Sequence, residues 1–498
     1  MKKVFILLLL ITVFIGSASF LAFTTSGNAL LLPFINGYLK KSVEGTKVEL
    51  VKLELKPSHL SAFAKVNDVI DIDAKGPVDL IAQSFDLQYS IDAQKIQSKE
   101  ITIDKPIHVS GEAKGQMDDM HISGSGKAFA SDIHYTFNLL KNRPQNIRLD
   151  LKDASIAEML AVMGEKPYVK GLMSLDIDMP ALDAANPQGQ ARLQIKNALI
   201  DEASVKRAYD ISLPPNTSVK ADITATAKDK LILAKGAIIT SLAKLDMSDI
   251  TYEMTPGVLR SDYHIYVPDL SKLEPLTQKR FRGDMDFRGQ ITKAKDLVIT
   301  GQGKEFDGSV AYKLINDNIR ADVHGATVSK VMYMLGYPQV LEALSEAKVD
   351  YNFSTKSGKV DAKLDSARIL SNQLTILLKQ LTGIDLTQER YNQATFVSTL
   401  TPAKINFDFI AQNINSHFKI KNGVLDRKSE QINASVDMKY KDKDLKATIS
   451  GTIENPKVNI DASEYLKSKV GKEVDKVLEE KIKGKKEEKI KGLLKGIF

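Results

Sequence analysis

Seven histidines, several closely spaced carboxylates and two Gly-x-Gly-Lys runs are the residues of this chain whose types could do chemistry. His59, His108, His121, His134, His264, His324 and His417 are scattered, and no pair has the spacing of an H-E-x-x-H zinc helix. Most stand at polar positions of alternating segments, which reads as surface histidine. Gly124-Ser125-Gly126-Lys127 and Gly301-Gln302-Gly303-Lys304 look like fragments of a phosphate loop. A P-loop needs a Gly, four spacers, then Gly-Lys and a hydroxyl residue. His121 and Val298 stand where the first Gly belongs, and Ala128 and Glu305 where the hydroxyl belongs. Both runs therefore read as hairpin turns. Asp71 with Asp73, and Asp176 with Asp178, are two apart and so share one wet strand face. A hydrolytic carboxylate pair needs a cleft and a raised pKa, and nothing marks one out. There is no G-x-S-x-G elbow. With no cysteine in the chain, thiolate chemistry, disulfides and Cys-based zinc sites are excluded. The expectation is no catalytic residue, no metal, no cofactor and no enzyme.

What the spacing does carry is alternation. Ile70 and Ile72, then Phe85, Leu87 and Tyr89, then Ile133, Tyr135 and Phe137 are apolar residues separated by polar ones. The same rhythm holds Leu149 and Leu151, Leu175 and Ile177, Ile405, Phe407 and Phe409, and Val436, Met438 and Tyr440. Side chains of a strand point alternately to opposite faces, so each set lines one apolar face. These residues are the candidates to line a groove. Parity picks them, and an extra residue such as that suggested by Leu50-Val51 would flip the choice locally.

The elements that position them follow in order. Lys2 and Lys3 precede Val4 to Phe23, twenty residues without a charge. That length crosses a bilayer, with the N-terminus cytoplasmic and Val4, Leu8, Ile11, Ile15, Phe20 and Phe23 facing lipid. A cleaved signal peptide ending near Ser17-Ala18-Ser19 is the other reading, and both export the body. Asn28 to Lys41 reads as a short helix with Leu31, Leu32, Ile35, Tyr38 and Leu39 on one face. Strands run from Val48 to about Leu139, and Asn142 to Asn146 reads as a break. Ile147 to Ile156 and Ile319 to Val328 are near copies: a strand, a capping Ser155 or Thr327, then a short helix. His264 to Leu273 is a weaker third copy. Ala367 to Leu386 reads as a helix carrying Ile369, Leu370, Leu374, Leu377, Leu378 and Leu381. The last 36 residues, from Ser463, hold eleven Lys against seven acidic residues. They read as an amphipathic helix, for a membrane surface or the end of the sheet. That helix takes about +4 of the net +7, which leaves no broad basic face for nucleic acid.

The C-terminal third has an order of its own. The helix at 367–386 leads to Phe418-Lys419-Ile420-Lys421-Asn422-Gly423-Val424-Leu425, then to Gly451-Thr452-Ile453-Glu454-Asn455-Pro456-Lys457-Val458 and the Lys-rich end. This order, with the uncharged N-terminal segment and the short helix after it, resembles the AsmA-like family of Gram-negative envelope proteins. It covers about 150 residues well and the middle of the chain only by pattern. The resemblance implies a mainly β fold: a long curled antiparallel sheet, or repeating β-groove. A transmembrane helix would precede it, short helices would interrupt it and an amphipathic helix would close it. The implied divisions are an anchor at 1–27, a periplasmic β-groove at 28–366, an AsmA-like C-terminal region at 367–462 and the terminal helix at 463–498. About 25 strands at roughly 4.7 Å would make a trough on the order of 100 Å. The implied function is a bridge-like lipid-transfer protein of the inner membrane, single-pass with its bulk in the periplasm. It would move phospholipids toward the outer membrane or a partner there. The alternative is an assembly factor for outer-membrane proteins, its sheet edges open to strand addition and its apolar face packed by helices.

Overall fold

The computed structural model describes residues 24–461, apart from short stretches at 43–46, 80, 94–95, 99–100, 104–106, 117, 142, 163–164, 182–185 and 442. The apolar segment Val4 to Phe23, with the six expected anchor residues named above, and the Lys-rich segment from Ser463, expected as a helix, lie outside the described residues. Among the described residues no helix is long and apolar enough to cross a membrane. The fold is mainly β: 26 strands belong to one antiparallel sheet, interrupted by a few short helices. The chain divides into two compact units, with the division falling between residues 268 and 295.

The first unit opens with α1 (Thr25–Ser42) and then runs as a meander. Its strands are β1 (Val48–Lys56), β2 (His59–Val66), β3 (Ile70–Asp79) and β4 (Ser84–Ala93). A separate small hairpin follows, β5 (Ile96–Ser98) and β6 (Ile101–Ile103), and then β7 (Ile107–Gln116), β8 (Asp119–Ala128), β9 (Ser131–Leu140) and β10 (Arg143–Ser155). After α2 (Ile156–Val162) come β11 (Val169–Ala181), β12 (Gln188–Ile200) and α3 (Glu202–Tyr209). The unit continues with β13 (Ser218–Lys228), β14 (Leu231–Thr240), β15 (Lys244–Glu253), β16 (Val258–Val267) and α4 (Glu274–Thr277). Successive strands of the sheet pair antiparallel, joined by hairpin turns except where the β5–β6 hairpin, α2 or α3 is inserted. Asn67 and Asp68, in the three-residue turn that ends at Val69, have φ of 50° and 59°, and the two-residue turn Asp229-Lys230 has 51° and 67°. Two positive φ values in succession match the twist of paired strands, and Asn and Asp tolerate them.

In β1 to β4 the alternation becomes burial. Leu60, Ala62, Ala64, Ile72, Ala74, Phe85, Leu87 and Tyr89 are buried on one face, and the residues between them face water or are half-buried. Ile35 and Leu39 of α1 join that cluster, together with Met120, Ile122, Phe137 and Leu139 from β8 and β9. The pairing of β1 with β2 slips between Leu50 and Lys52, so Leu50 is buried, Val51 and Lys52 are exposed, and burial resumes at Leu55. Two asparagines dock α1 on the edge of β1. The amides of Leu50 and Leu55 donate to Asn36 Oδ1 (2.7 Å) and Asn28 Oδ1 (3.1 Å). The Asn36 and Asn28 amides in turn donate to the carbonyls of Leu50 (2.9 Å) and Leu55 (3.2 Å). The helix thus satisfies backbone groups that an edge strand would otherwise show to water or to another strand.

The expected break at Asn142 to Asn146 is instead the start of β10. Asn146 takes φ 51° and the pairing with β9 slips between Gln145 and Arg148, a bulge that lets the strand continue.

The second unit contains β18 (Leu297–Gly303), β19 (Ser309–Ile315) and β20 (Asn318–Thr327), after β17 (Met285–Lys293), whose residues divide between the units. It goes on through α5 (Val328–Met334), β21 (Leu341–Asn352), β22 (Ser357–Ile369) and α6 (Gln373–Thr382). It ends with β23 (Gln393–Leu400), β24 (Lys404–Gln412), β25 (Ser416–Asp426), β26 (Ile432–Tyr440), β27 (Lys443–Gly451) and β28 (Pro456–Asp461). The helix expected over 367–386 is shorter than its apolar pattern: Ala367 and Ile369 complete β22. Asn372 and Thr375 form a reciprocal cap that fixes the start of α6, and Gly383 at φ 73° fixes its end. Leu374 and Leu378 are buried in a second cluster with Tyr391, Phe409, Phe418, Val436 and Met438, whereas Leu381 is 55% exposed.

The internal repeat is structural as well as sequential. Asp153 and Gly325 occupy equivalent places and have φ of 55° and 63°. Each marks a slip in pairing, between Leu151 and Ala154 and between Val323 and Ala326. The next alanine is fully buried in both copies. The Ser155 amide donates to the Phe129 carbonyl (2.8 Å), and the Thr327 amide to the Phe306 carbonyl (2.7 Å). The caps differ. Ser155 Oγ accepts from the Glu158 amide at 3.4 Å, whereas the Thr327 hydroxyl does not cap its helix and donates to Asp307 at 3.0 Å.

Candidate functional site: an apolar face closed at β1 to β9 and open beyond

The charged residues come first, because they can be set aside. Asp71 pairs with Lys65 (3.1 Å), Asp178 lies 4.0 Å from Arg148, and Arg192 Nη2 donates to Asp222 at 2.8 Å. Register explains the first two, since Lys65 lies opposite Asp71 and Arg148 opposite Asp178. Arg192 beside it holds the Asp222 carboxyl below the usual carboxylate range. His324 faces Glu346 (2.6 Å) and His121 faces Asn138 (2.7 Å), all exposed. Among the described residues no cluster of three or more His, Asp or Glu could hold a metal.

The opposite face has two regimes in the first unit. From β1 to β8, and at the Phe137 end of β9, it is packed shut: Ile72, Phe85, Leu87, Tyr89 and Phe137 are 1 to 6% exposed. From β11 to β15 its residues are only half-buried, and Ala198 is the one fully buried residue in those five strands. Tyr135, Leu149, Leu175 and Ile177 stand in or beside this open stretch, while Leu151 is 2% exposed.

A single row across the strands shows where the change occurs. Pairing runs Ala74, Tyr89, Gly111, Gly124, Tyr135, Leu149, Ile177, Ala191, Ala225 and Ala234, one residue from each of β3, β4 and β7 to β14. Tyr89 and Tyr135 flank the two glycines and reach across them, with hydroxyls 2.5 Å apart and Tyr89 Oη 3.3 Å from the Ser123 carbonyl. A Cβ on Gly124 would meet Tyr135 Oη at 2.5 Å and Cζ at 2.6 Å, and Tyr89 Oη at 2.8 Å. Gly124 is therefore a mid-strand residue whose missing side chain makes room for an aromatic ring, rather than part of a hairpin turn. Gly301 and Gly303 likewise belong to β18. Burial raises the pKa of both phenols above the ordinary tyrosine value.

Beyond Tyr135 the row bounds a cavity of about 560 Å³, lined across β9 to β13 by Leu149, Ile177, Ala191 and Ala225 and by their polar and charged chain neighbours, Arg148, Asp176 and Arg192 among them. That volume lies in the range of about 300 to 1,000 Å³ usual for small-molecule sites. The sequence pattern found Tyr135, Leu149 and Ile177 but missed Ala191 and Ala225. Their signal was smallness in mid-strand, where alternation alone expects a bulky residue.

In the second unit Phe409, Val436 and Met438 are sealed within the cluster under α6, at 7, 1 and 5% exposed. Ile405, Phe407 and Tyr440 are half-buried, as is Ile70 in the first unit and Ile133 beside Tyr135. The Phe407 ring covers Gly423 as the tyrosines cover theirs. From β19 to β21 only Ala326, Ala343 and Ser345 are buried, so the apolar face of those strands is half-exposed.

Compared with known proteins, the chain matches no family model, no curated protein and no solved structure.

Proposed function

We propose that this chain is an inner-membrane-anchored, periplasmic protein of AsmA-like type. Its apolar sheet face holds phospholipid tails and conducts them between the inner and outer membranes, in support of outer-membrane biogenesis. The observation that carries this reading is the half-buried apolar face of β11 to β15, with its cavity of about 560 Å³. Apolar surface left in water costs about 25 cal/mol per Å², and an acyl chain in water costs about 0.8 kcal/mol per CH₂. A chain lying on this face removes both costs at once. Tails need no specific polar contact, which is consistent with a row across β10 to β13 made of Leu149, Ile177, Ala191 and Ala225. The order of motifs in the C-terminal third and the uncharged N-terminal segment support the envelope location.

A second reading has its own observation. The packing of α6 on β23 to β27 is what an assembly factor without lipid conduction would need along its whole sheet. A photo-crosslinking residue separates the two. Placed at Ile177 or Ala225 in cells, it should capture phospholipid, and placed at Val436 it should not. An Ile177→Asp variant should stay folded and lose lipid transfer. Equal labelling at all three positions, or none at Ile177 and Ala225, rejects conduction in favour of the assembly role.

A further inference from the structure

The tyrosine pair has a bearing on what the cavity can hold. On one side of it the row continues into residues that leave no space: Ala74 is 1% and Tyr89 4% exposed, and Leu87 and Ile122 beside them are 3% and 2%. On the other side the row opens at Leu149 into the cavity. Gly111 and Gly124 are the two positions where a side chain would have lifted the rings, and their absence lets Tyr89 and Tyr135 lie end to end across β7 and β8. The hydroxyl contact at 2.5 Å fixes each ring by its far end.

We propose that Tyr135, braced by Tyr89, is the end wall of the cavity and sets the length of the acyl chain held there. Five strands, β9 to β13, line the cavity, and their four spacings span about 19 Å. An extended hydrocarbon rises about 1.25 Å per bond, given C–C bonds of about 1.5 Å. The row's roughly 19 Å thus takes one extended chain of about sixteen carbons, methyl end against Tyr135, the remainder of the lipid lying toward β13. This proposal rests on the lipid-binding reading above and adds to it a stop and a measure.

The test is binding of saturated fatty acids of about 12 to about 20 carbons to the full-length protein, read by displacement of a fluorescent fatty acid and by native mass spectrometry. Wild type should prefer chains near sixteen carbons. Tyr135→Ala uncovers Gly124 and should move the optimum up by about four carbons, one strand spacing of about 4.8 Å at about 1.25 Å per bond. Tyr135→Phe keeps the ring and should leave the optimum in place. Ala191→Phe, in a half-exposed strand where folding is not at stake, should move the optimum to shorter chains. An optimum unchanged in both Tyr135→Ala and Ala191→Phe, with binding retained, overturns the end wall alone. A shift in Tyr135→Phe as large as in Tyr135→Ala also overturns it, because the ring would then not be the barrier. Failure of wild type to bind any chain overturns the lipid-binding reading itself.

Discussion

Replacing Gly124 by alanine tests the tyrosine bridge from below. The new methyl would lie 2.5 Å from Tyr135 Oη and 2.6 Å from its Cζ, so the ring must move. Tyr135 is held by its bond to Tyr89, and Tyr89 is 4% exposed within the packed cluster. Overpacking of this kind costs about 1 to 3 kcal/mol. Loss of the hydroxyl bond adds about 1 kcal/mol, and the lower backbone entropy of alanine returns about 0.5 to 1 kcal/mol. The net loss should be about 2 kcal/mol. In a Tyr89→Phe, Tyr135→Ala background both obstacles are gone, because the Tyr89 hydroxyl would otherwise still lie 2.8 Å from the new methyl, and Gly124→Ala should become neutral or stabilise by about 0.5 kcal/mol. The coupling between Gly124 and the tyrosine pair is therefore about 2 kcal/mol, well above the roughly 0.5 kcal/mol scatter of independent sites. Amide hydrogen exchange on peptides of β8 and β9 reports local opening, which suits a chain too long for a single unfolding transition. Additive effects of Gly124→Ala and the tyrosine substitutions would refute the bridge.

Two other expectations follow from the same unit. Asn28→Ala and Asn36→Ala each strip an amide and a carbonyl of β1 of their partners and should cost about 1 to 3 kcal/mol. The check is faster exchange at Leu55 in the first variant and at Leu50 in the second, and a pattern shared indiscriminately by both would contradict the pairing. Burial holds Tyr89 and Tyr135 protonated above their ordinary range, so the fold favours the neutral phenol. Their contribution is complete below the unfolded pKa of about 10 and is lost as pH climbs above it. Base should therefore loosen β4 and β9 from about pH 10 upward, less so in a Tyr89→Phe, Tyr135→Phe double variant. Phenolate absorbance from these two residues at about pH 10 with the sheet intact would contradict this.

Much of the sheet was legible because period-two alternation is set by the strand itself. Ile133, Tyr135 and Phe137 read as one face of a strand and stand in β9, and the Leu50-Val51 irregularity is a slip in pairing. The misreadings share a cause: local pattern does not record what lies across the sheet. Ile369 and Leu370 fit a helical stripe with Leu374, yet pairing of Leu341 with Ile369 holds the first of them in β22. Gly124-Ser125-Gly126 looks like a turn until Tyr135 is placed beside it, and Ala191 looks unremarkable until four neighbouring strands form walls around it. Alternation also says which residues share a face but not whether the face is covered. Phe85 and Ile177 have the same signature, yet one is sealed and the other lies beside open space.

The docking of α1 on β1 bears on how such a chain can lengthen over evolutionary time. A meander can lengthen by adding hairpins, and the near-copies at 147–156 and 319–328 are one strand-to-helix joint used twice in this chain. Because Asn28 and Asn36 already occupy the outer border of the first strand, a new hairpin has no seat ahead of it. Added modules fit only downstream, which leaves the helix a fixed starting block for an array of variable reach.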